Sequence, residues 1–112
     1  MSLTTSNHRI KIDLMRLISS KFDVSTFDNY RHLVVKFHGP ADTPYEGGVW
    51  RVRVILPENY PFKSPSIGFD TQIFHPNVDQ TSGTVCLDVL HQKWPALYDL
   101  VLIFDTFLPQ LL

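Results

Sequence analysis

Residues 49–56 read VWRVRVIL, a stretch in which apolar and basic side chains alternate. Successive side chains of a β-strand point to opposite faces of the sheet, so every second residue shares a face. The stretch therefore predicts a strand with one buried face and one wet face. The buried face consists of Trp50, Val52, Val54 and Leu56, and the wet face carries Arg51 and Arg53.

The same alternation recurs on both sides of this strand. It predicts strands around Phe22 and Val24, over residues 33–37, and around Ile67 and Phe69. Turn-forming pairs such as Gly39-Pro40 and Gly47-Gly48 separate the strands. Short connections and period-two alternation favour an antiparallel meander with one face packed on a helix.

Both ends of the chain show helical spacing. Residues 7–20 are predicted to form a helix that Ser6 or Asn7 caps. Its apolar stripe consists of Ile10, Leu14, Leu17 and Ile18. Arg9 and Arg16 are seven residues apart, so we expect them to share the solvent-facing side.

A wide apolar stripe over residues 97–111 predicts a second helix, which Pro109 should kink or end. Between the last predicted strand and this helix, the side chains of Asp70–Pro95 follow neither strand nor helix spacing. The segment contains enough apolar residues to be ordered. We therefore expect a single α+β domain over residues 1–112. It comprises an N-terminal helix, a four-stranded antiparallel meander, a long ordered loop and a core helix.

Composition excludes several classes of protein. The 112 residues include 10 Lys and Arg against 11 Asp and Glu, so the net charge of −1 offers no electrostatic basis for binding nucleic acid or an anionic membrane. The one cysteine, Cys86, can form no internal disulfide and gives no metal-binding pattern. A reducing compartment, the cytoplasm or the nucleus or both, is the expected location.

Three short motifs fall in or next to the long loop: His75-Pro76-Asn77, Cys86-Leu87-Asp88 and Trp94-Pro95-Ala96. Taken singly, each has an ordinary structural explanation, because a lone cysteine is usually a small buried residue and a loop Asn usually bonds local backbone. Taken together, and with Pro44–Gly48 and Tyr60–Pro65 upstream, they resemble the ubiquitin-conjugating enzymes in family order. Within that family the chain is most similar to the H-type members.

The resemblance implies a role for each motif residue. Cys86 would carry ubiquitin as a thioester and pass it to a substrate lysine. Asn77 would stabilise the oxyanion of the second transfer, and Asp88 would orient the incoming lysine. His75 and Pro76 would shape the loop.

The resemblance also implies partners: ubiquitin, its activating enzyme, a RING-type ligase and substrate proteins. Phe62, Pro95 and Ala96 resemble the surface that docks the ligase. Arg9, Lys11 and Arg16 resemble the basic face that meets the activating enzyme. The H-type likeness extends these expectations to a large multisubunit ligase and to histones as substrates. The chain itself would need no cofactor, because the activating enzyme uses the ATP.

Two alternatives remain. The family continues past Leu112 into a loop and two more helices, so the resemblance implies a truncated domain that could be a non-catalytic binding module of the same fold. A cysteine hydrolase that pairs Cys86 with His75 or His91 is the other alternative. No Lys or Arg lies between Lys63 and Lys93, which suits an enzyme that receives an already activated acyl group better than a protease.

Overall fold

The computed structural model describes residues 3–112, and the side chains of residues 6–112. Met1 and Ser2 lie outside the described residues, so the predicted span of 1–112 is seen only from Leu3 onward. The strands are β1 (Val24–Phe27), β2 (His32–His38), β3 (Val49–Ile55) and β4 (Ser66–Phe69). The helices are α1 (Leu3–Ser19), α2 (Leu87–Leu97), α3 (Leu100–Leu102), a π-helical turn (Ile103–Phe107) and α4 (Leu108–Leu111).

The four strands form one antiparallel sheet in chain order, which confirms the predicted α+β meander. Strand register aligns the inner faces, since Val54 of β3 lies between Leu33 of β2 and Ile67 of β4. Val52 lies in the same way between Val35 and Phe69. These side chains are buried, and burying each aliphatic one stabilises the fold by roughly 1.5–3 kcal/mol.

Helix α1 packs its buried stripe into the same core. Ile10, Leu14 and Leu17 are buried as expected, but Ile18 is 57% exposed. The predicted cap was wrong too, because the helix begins at Leu3 and places Ser6 and Asn7 inside it. Both side chains instead accept hydrogen bonds from Arg31, which precedes β2.

The predicted loop Asp70–Pro95 is shorter than expected. Residues 70–86 are irregular, but α2 follows, with Leu90 and Trp94 buried one turn apart. Trp94-Pro95-Ala96 therefore lies near the end of α2 rather than at the end of the predicted loop. Tyr98, in the left-handed conformation, closes α2 by donating its N–H to the Trp94 carbonyl.

The C-terminal run continues through Pro109. In the π-helical turn the Leu108 N–H bonds to the Ile103 carbonyl, five residues back. Pro109 then falls in the first turn of α4, where a missing N–H costs little. The buried stripe of this run is Leu100, Ile103, Phe104, Phe107 and Leu108. Leu102 lies outside this stripe and is exposed. Over residues 3–112 no helix is both long and apolar enough to cross a membrane.

Candidate active site

The backbone holds Cys86 on both sides while its side chain stays accessible. Before it, the Val85 N–H donates to the Ile67 carbonyl at 2.9 Å, so this segment pairs with the free edge of β4. After it, α2 begins, and Cys86 itself is the N-cap residue with φ −50° and ψ 118°. The cysteine is exposed. A strand-like pairing thus leads directly into a helix, with the thiol at the junction.

An open groove of about 560 Å³ lies beside the cysteine. The lining residues are His75, Pro76, Asn77, Val78, Asp79, Gln80, Thr84 and Cys86. The Cys86 N–H donates to the Asn77 carbonyl at 2.8 Å, which joins the two predicted motifs. None of the side-chain hydrogen bonds within residues 6–112 uses the Asn77 amide, so its N–H groups remain available to a ligand in the groove.

The hydrogen bonds of His75 identify its role in the groove. Its Nδ1 accepts the Asn77 backbone N–H at 3.0 Å, and this bond requires an unprotonated Nδ1. The ring proton is therefore on Nε2, which lies 2.7 Å from the Leu111 carbonyl and donates to it. With both nitrogens engaged, His75 is a structural hydrogen-bonding group and is unsuited to act as a base for Cys86.

The other histidine of the hydrolase alternative is no better placed. His91 follows Cys86 by five residues, which on a helix means about 140° around the axis and roughly 7.5 Å along it. It is exposed on α2. Neither histidine of this alternative is therefore placed to act as the base that a cysteine hydrolase needs.

Asp88 is exposed in the first turn of α2, two residues after Cys86. Asp88 is not among the residues that line the groove. The structure therefore brings Cys86, Asn77, His75 and Pro76 together but leaves Asp88 at the margin.

The residues expected to bind a ligase lie on two neighbouring segments. Phe62 is 68% exposed, and Pro95 and Ala96 are exposed on α2. Trp94 connects the segments by donating its indole N–H to the Pro61 carbonyl at 2.7 Å. The exposed aromatic ring and the exposed end of α2 are thus joined through a buried tryptophan.

Arg9 and Arg16 do not share the solvent-facing side of α1 as expected, because only 25% of the Arg9 side chain is exposed. Lys11 is exposed, and Arg16 is 61% exposed and reaches Asp99 at 3.1 Å. Arg9 is partly buried: its Nε donates to Asp13 at 2.8 Å, and its guanidinium stacks over the Tyr98 ring and donates to the Tyr98 carbonyl. Arg9 therefore connects α1 to the end of α2.

Sequence reasoning missed a buried polar cluster formed by Arg9, Asp13 and Tyr60. Asp13 is fully buried, and Oδ2 accepts from both Arg9 and the Tyr60 hydroxyl, whereas Oδ1 has no partner within the described residues. Burial, together with the hydrogen bond and charge of Asp13, raises the pKa of Tyr60. The four-residue spacing of Arg9 and Asp13 was the only signal for it in the sequence.

Asp79 lines the groove and fixes the turn that follows it in the chain. Its carboxylate accepts the backbone N–H and the hydroxyl of Ser82, at 2.9 and 2.6 Å, and these bonds lower the pKa of Asp79. Within the described part of the chain, no group of three or more His, Cys, Asp or Glu side chains could hold a metal ion.

Comparison with known proteins agrees with this geometry. The sequence profile described as "Ubiquitin-conjugating enzyme" matches residues 6–112. Ubiquitin-conjugating enzyme E2 5 of Arabidopsis thaliana is 52% identical over 98% of this chain and 60% of its own length. Ubiquitin-conjugating enzyme E2-24 kDa of Saccharomyces cerevisiae is 51% identical over 98% of this chain and 51% of its own length.

Solved structures show the same likeness. Human ubiquitin-conjugating enzyme E2 G1 superimposes with a TM-score of 0.68 at 33% identity, covering 81% of this chain and 77% of that chain. A putative ubiquitin-conjugating enzyme from Plasmodium yoelii gives a TM-score of 0.70 at 36% identity, covering 82% and 63%. The chain spans about half to three fifths of the length of the two curated relatives above. On sequence and fold together, this chain belongs to the ubiquitin-conjugating enzyme family.

Proposed function

We propose that this chain is the catalytic module of a ubiquitin-conjugating enzyme that carries ubiquitin as a thioester on Cys86. The observation that supports the proposal most strongly is the Cys86–Asn77 pairing. One backbone hydrogen bond places an exposed thiol and an unengaged side-chain amide on the same open groove. Acyl transfer through sulfur needs a nucleophile and an oxyanion donor in this relation.

In the first step the Cys86 thiolate attacks the carbonyl carbon of the thioester that joins ubiquitin to its activating enzyme. The tetrahedral intermediate collapses and expels the activating enzyme's thiolate, so one C–S bond forms and one breaks. Exposure of Cys86 suits this step, because the incoming carbonyl is attached to a large protein. The exchange is between two thioesters of similar energy, so no strong base at Cys86 is required.

In the second step a neutral lysine amine of the substrate attacks the Cys86 thioester. The carbonyl oxygen becomes an oxyanion, to which the Asn77 amide donates, and the Cys86 thiolate leaves as the isopeptide bond forms. The amine loses one proton in the process, which passes to solvent water or to the departing Cys86 thiolate. Asp88 lies at the margin of the groove, so its contribution would be to attract and orient the lysine before attack rather than to take its proton.

Partner surfaces follow from exposure. Phe62 with Pro95 and Ala96 is an exposed aromatic beside a helix end, a composition that suits a ligase interface. Lys11 and Arg16 are exposed on α1 and available to bind the activating enzyme. Arg9 would support this surface indirectly, because its side chain binds Asp13 and the Tyr98 carbonyl. ATP would be consumed by the activating enzyme, and substrates would include histones if the H-type likeness extends to function.

The experiment incubates the chain with ubiquitin, its activating enzyme and ATP, and separates the products on a gel without reductant. We expect an adduct that thiols remove, that is absent in Cys86→Ala, and that resists reductant in Cys86→Ser because an oxyester replaces the thioester. Asn77→Ala should still load, but its single-turnover discharge to free lysine should fall by about 10²-fold.

The non-catalytic alternative predicts a different result. A folded chain that binds ubiquitin or a ligase yet forms no adduct would favour a binding module. Circular dichroism and a cooperative thermal transition of the same sample establish that the chain is folded. Loading with an Asn77→Ala discharge rate equal to that of the parent chain would retain the thioester step and reject the role of Asn77.

A further inference from the structure

Arg53 lies on β3 with its side chain on the outer face of the sheet, yet its hydrogen bonds reach past the neighbouring strand. Nη1 donates to the Asp70 carboxylate at 2.6 Å. Nη2 donates to the Ser82 carbonyl at 2.7 Å and, more weakly, to the Thr84 hydroxyl at 3.4 Å. All three acceptors belong to the irregular segment of residues 70–86, which ends at Cys86.

Gly68 provides the path for this side chain. Arg53 and Gly68 are direct partners in the β3–β4 pairing. A Cβ atom at residue 68 would lie 2.4 Å from both Cζ and Nη2 of Arg53, well inside van der Waals contact. The planar guanidinium therefore crosses β4 where this strand has no side chain, and a larger residue at 68 would displace it.

The segment that Arg53 holds forms part of the Cys86 groove. Thr84 lines the groove, and its carbonyl accepts the Asp79 N–H at 3.0 Å. The Gly83 carbonyl accepts the Phe69 N–H at 2.7 Å, which sets this turn against the edge of β4. Thr84 is only two residues before Cys86, so a displacement at the guanidinium would be transmitted to the thiol through one strand-like segment.

We propose that Arg53 is a positioning residue for Cys86, acting from the outer face of the sheet across Gly68 through the turn of residues 82–84. The inference rests on the proposed function, since it concerns the placement of the acyl-carrying sulfur. Arg53 does not touch ubiquitin or the thiol. Its fork of donors fixes two acceptors on the turn and one on Asp70 at once, which a flexible single-point cation cannot do.

The variants separate this role from a general effect on charge or folding. Gly68→Ala keeps Arg53 but blocks its path, and Arg53→Met removes the donors. Arg53→Lys keeps the charge and covers the case in which Arg53→Met fails to fold. Arg51→Met is the matched control, because Arg51 is an exposed cation on the same strand and face, and its side chain forms no hydrogen bond within residues 6–112.

Two readouts are compared with the parent chain. The first is amide hydrogen exchange at Asp79 and Cys86, whose N–H groups bond to Thr84 and Asn77. The second is the rate of discharge from Cys86 at saturating lysine, with the KM for lysine measured separately. We expect Gly68→Ala and Arg53→Met to speed exchange at both amides and to lower the maximal rate by about 10-fold with little change in KM. Arg53→Lys should lie between them and the parent, and Arg51→Met should match the parent.

Exchange at Asp79 and Cys86 that is unchanged in Gly68→Ala and Arg53→Lys would overturn the proposal, as would discharge rates equal to that of Arg51→Met. The exchange measurement requires no ubiquitin, so it stands even if the chain forms no thioester. In that event the proposed function fails while the structural link from Arg53 to Cys86 is still decided.

Discussion

Nε2 of His75 lies 2.7 Å from the carbonyl oxygen of Leu111, although the two residues are 36 positions apart. The same ring accepts the Asn77 N–H through Nδ1. One imidazole thus joins the loop beside Cys86 to the last turn of the chain. The wall of the groove is therefore fixed by the C-terminal helical run as well as by its own backbone.

The neutral ring of His75 should carry its proton on Nε2. The Asn77 backbone N–H is a donor, so Nδ1 must be the unprotonated acceptor. A long-range ¹H–¹⁵N correlation spectrum reports this tautomer directly. His75→Phe, which loses both hydrogen bonds, should lower the free energy of unfolding by about 2 kcal/mol. His91→Phe on the exposed side of α2 is the control and should change it by less than about 0.5 kcal/mol. A ring protonated on Nδ1 would contradict the assignment.

The raised pKa of Tyr60 makes the free energy of unfolding depend on pH in the alkaline range. The folded chain retains the phenol proton where the unfolded chain, with an ordinary pKa of 10.0, has lost it. The contribution is therefore complete below the unfolded pKa and is lost as the pH rises above it. Between about pH 9 and 11.5, the free energy of unfolding should fall more steeply for the parent than for Tyr60→Phe, by up to about 1.4 kcal/mol per pH unit. Urea denaturation at each pH measures these free energies. If they fall with pH at the same rate in both chains, Tyr60 does not titrate as described.

Much of the sheet could be predicted because β-structure shows directly in side-chain alternation. The alternation of Trp50, Val52 and Val54 fixed both the strand and the face that the core covers. Cys86 and Asn77 could be found as candidates because the motifs are short and local. Their shared backbone hydrogen bond could not, since it depends on how residues 70–86 fold back against β4.

Other features depended on tertiary contacts that leave little trace in the sequence. Asp13 is a carboxylate on a helix and reads as solvent-exposed, but Arg9 and Tyr60 enclose it. Pro109 reads as the kink or end of a helix, but a π-helical turn precedes it and the helical run continues to Leu111. Ile18 continues the apolar spacing of α1, yet the helix turns it toward solvent.

Arg9 and Arg16 offer a matched pair for testing the buried polar cluster. Arg9→Ala leaves the buried Asp13 carboxylate without its cation and should lower the free energy of unfolding by about 3 kcal/mol. Arg16→Ala removes an exposed pair with Asp99 and should cost less than about 1 kcal/mol. Chemical denaturation of both variants measures the difference, and equal losses would refute the distinction. Lys11→Ala is then the cleaner probe of the α1 surface in binding to the activating enzyme.

Phe62 should matter for a ligase and hardly at all for folding. Phe62→Ala should change the free energy of unfolding by less than about 0.5 kcal/mol because the ring is 68% exposed. Loading of Cys86 should be unaffected, while stimulation of discharge by a RING-type ligase should be lost. Phe27→Ala on β1, where the ring is 52% exposed, is the control and should retain stimulation. Full stimulation of Phe62→Ala would place the ligase interface elsewhere.

The role of Cys86 as acyl carrier is tested most directly by intact-mass spectrometry of the chain after incubation with ubiquitin, activating enzyme and ATP. The predicted result is a species equal to the chain plus one ubiquitin minus one water, which hydroxylamine returns to the unmodified chain and which Cys86→Ala does not form. A folded chain that stays unmodified, or an adduct that persists in Cys86→Ala, would contradict the role of Cys86 as acyl carrier.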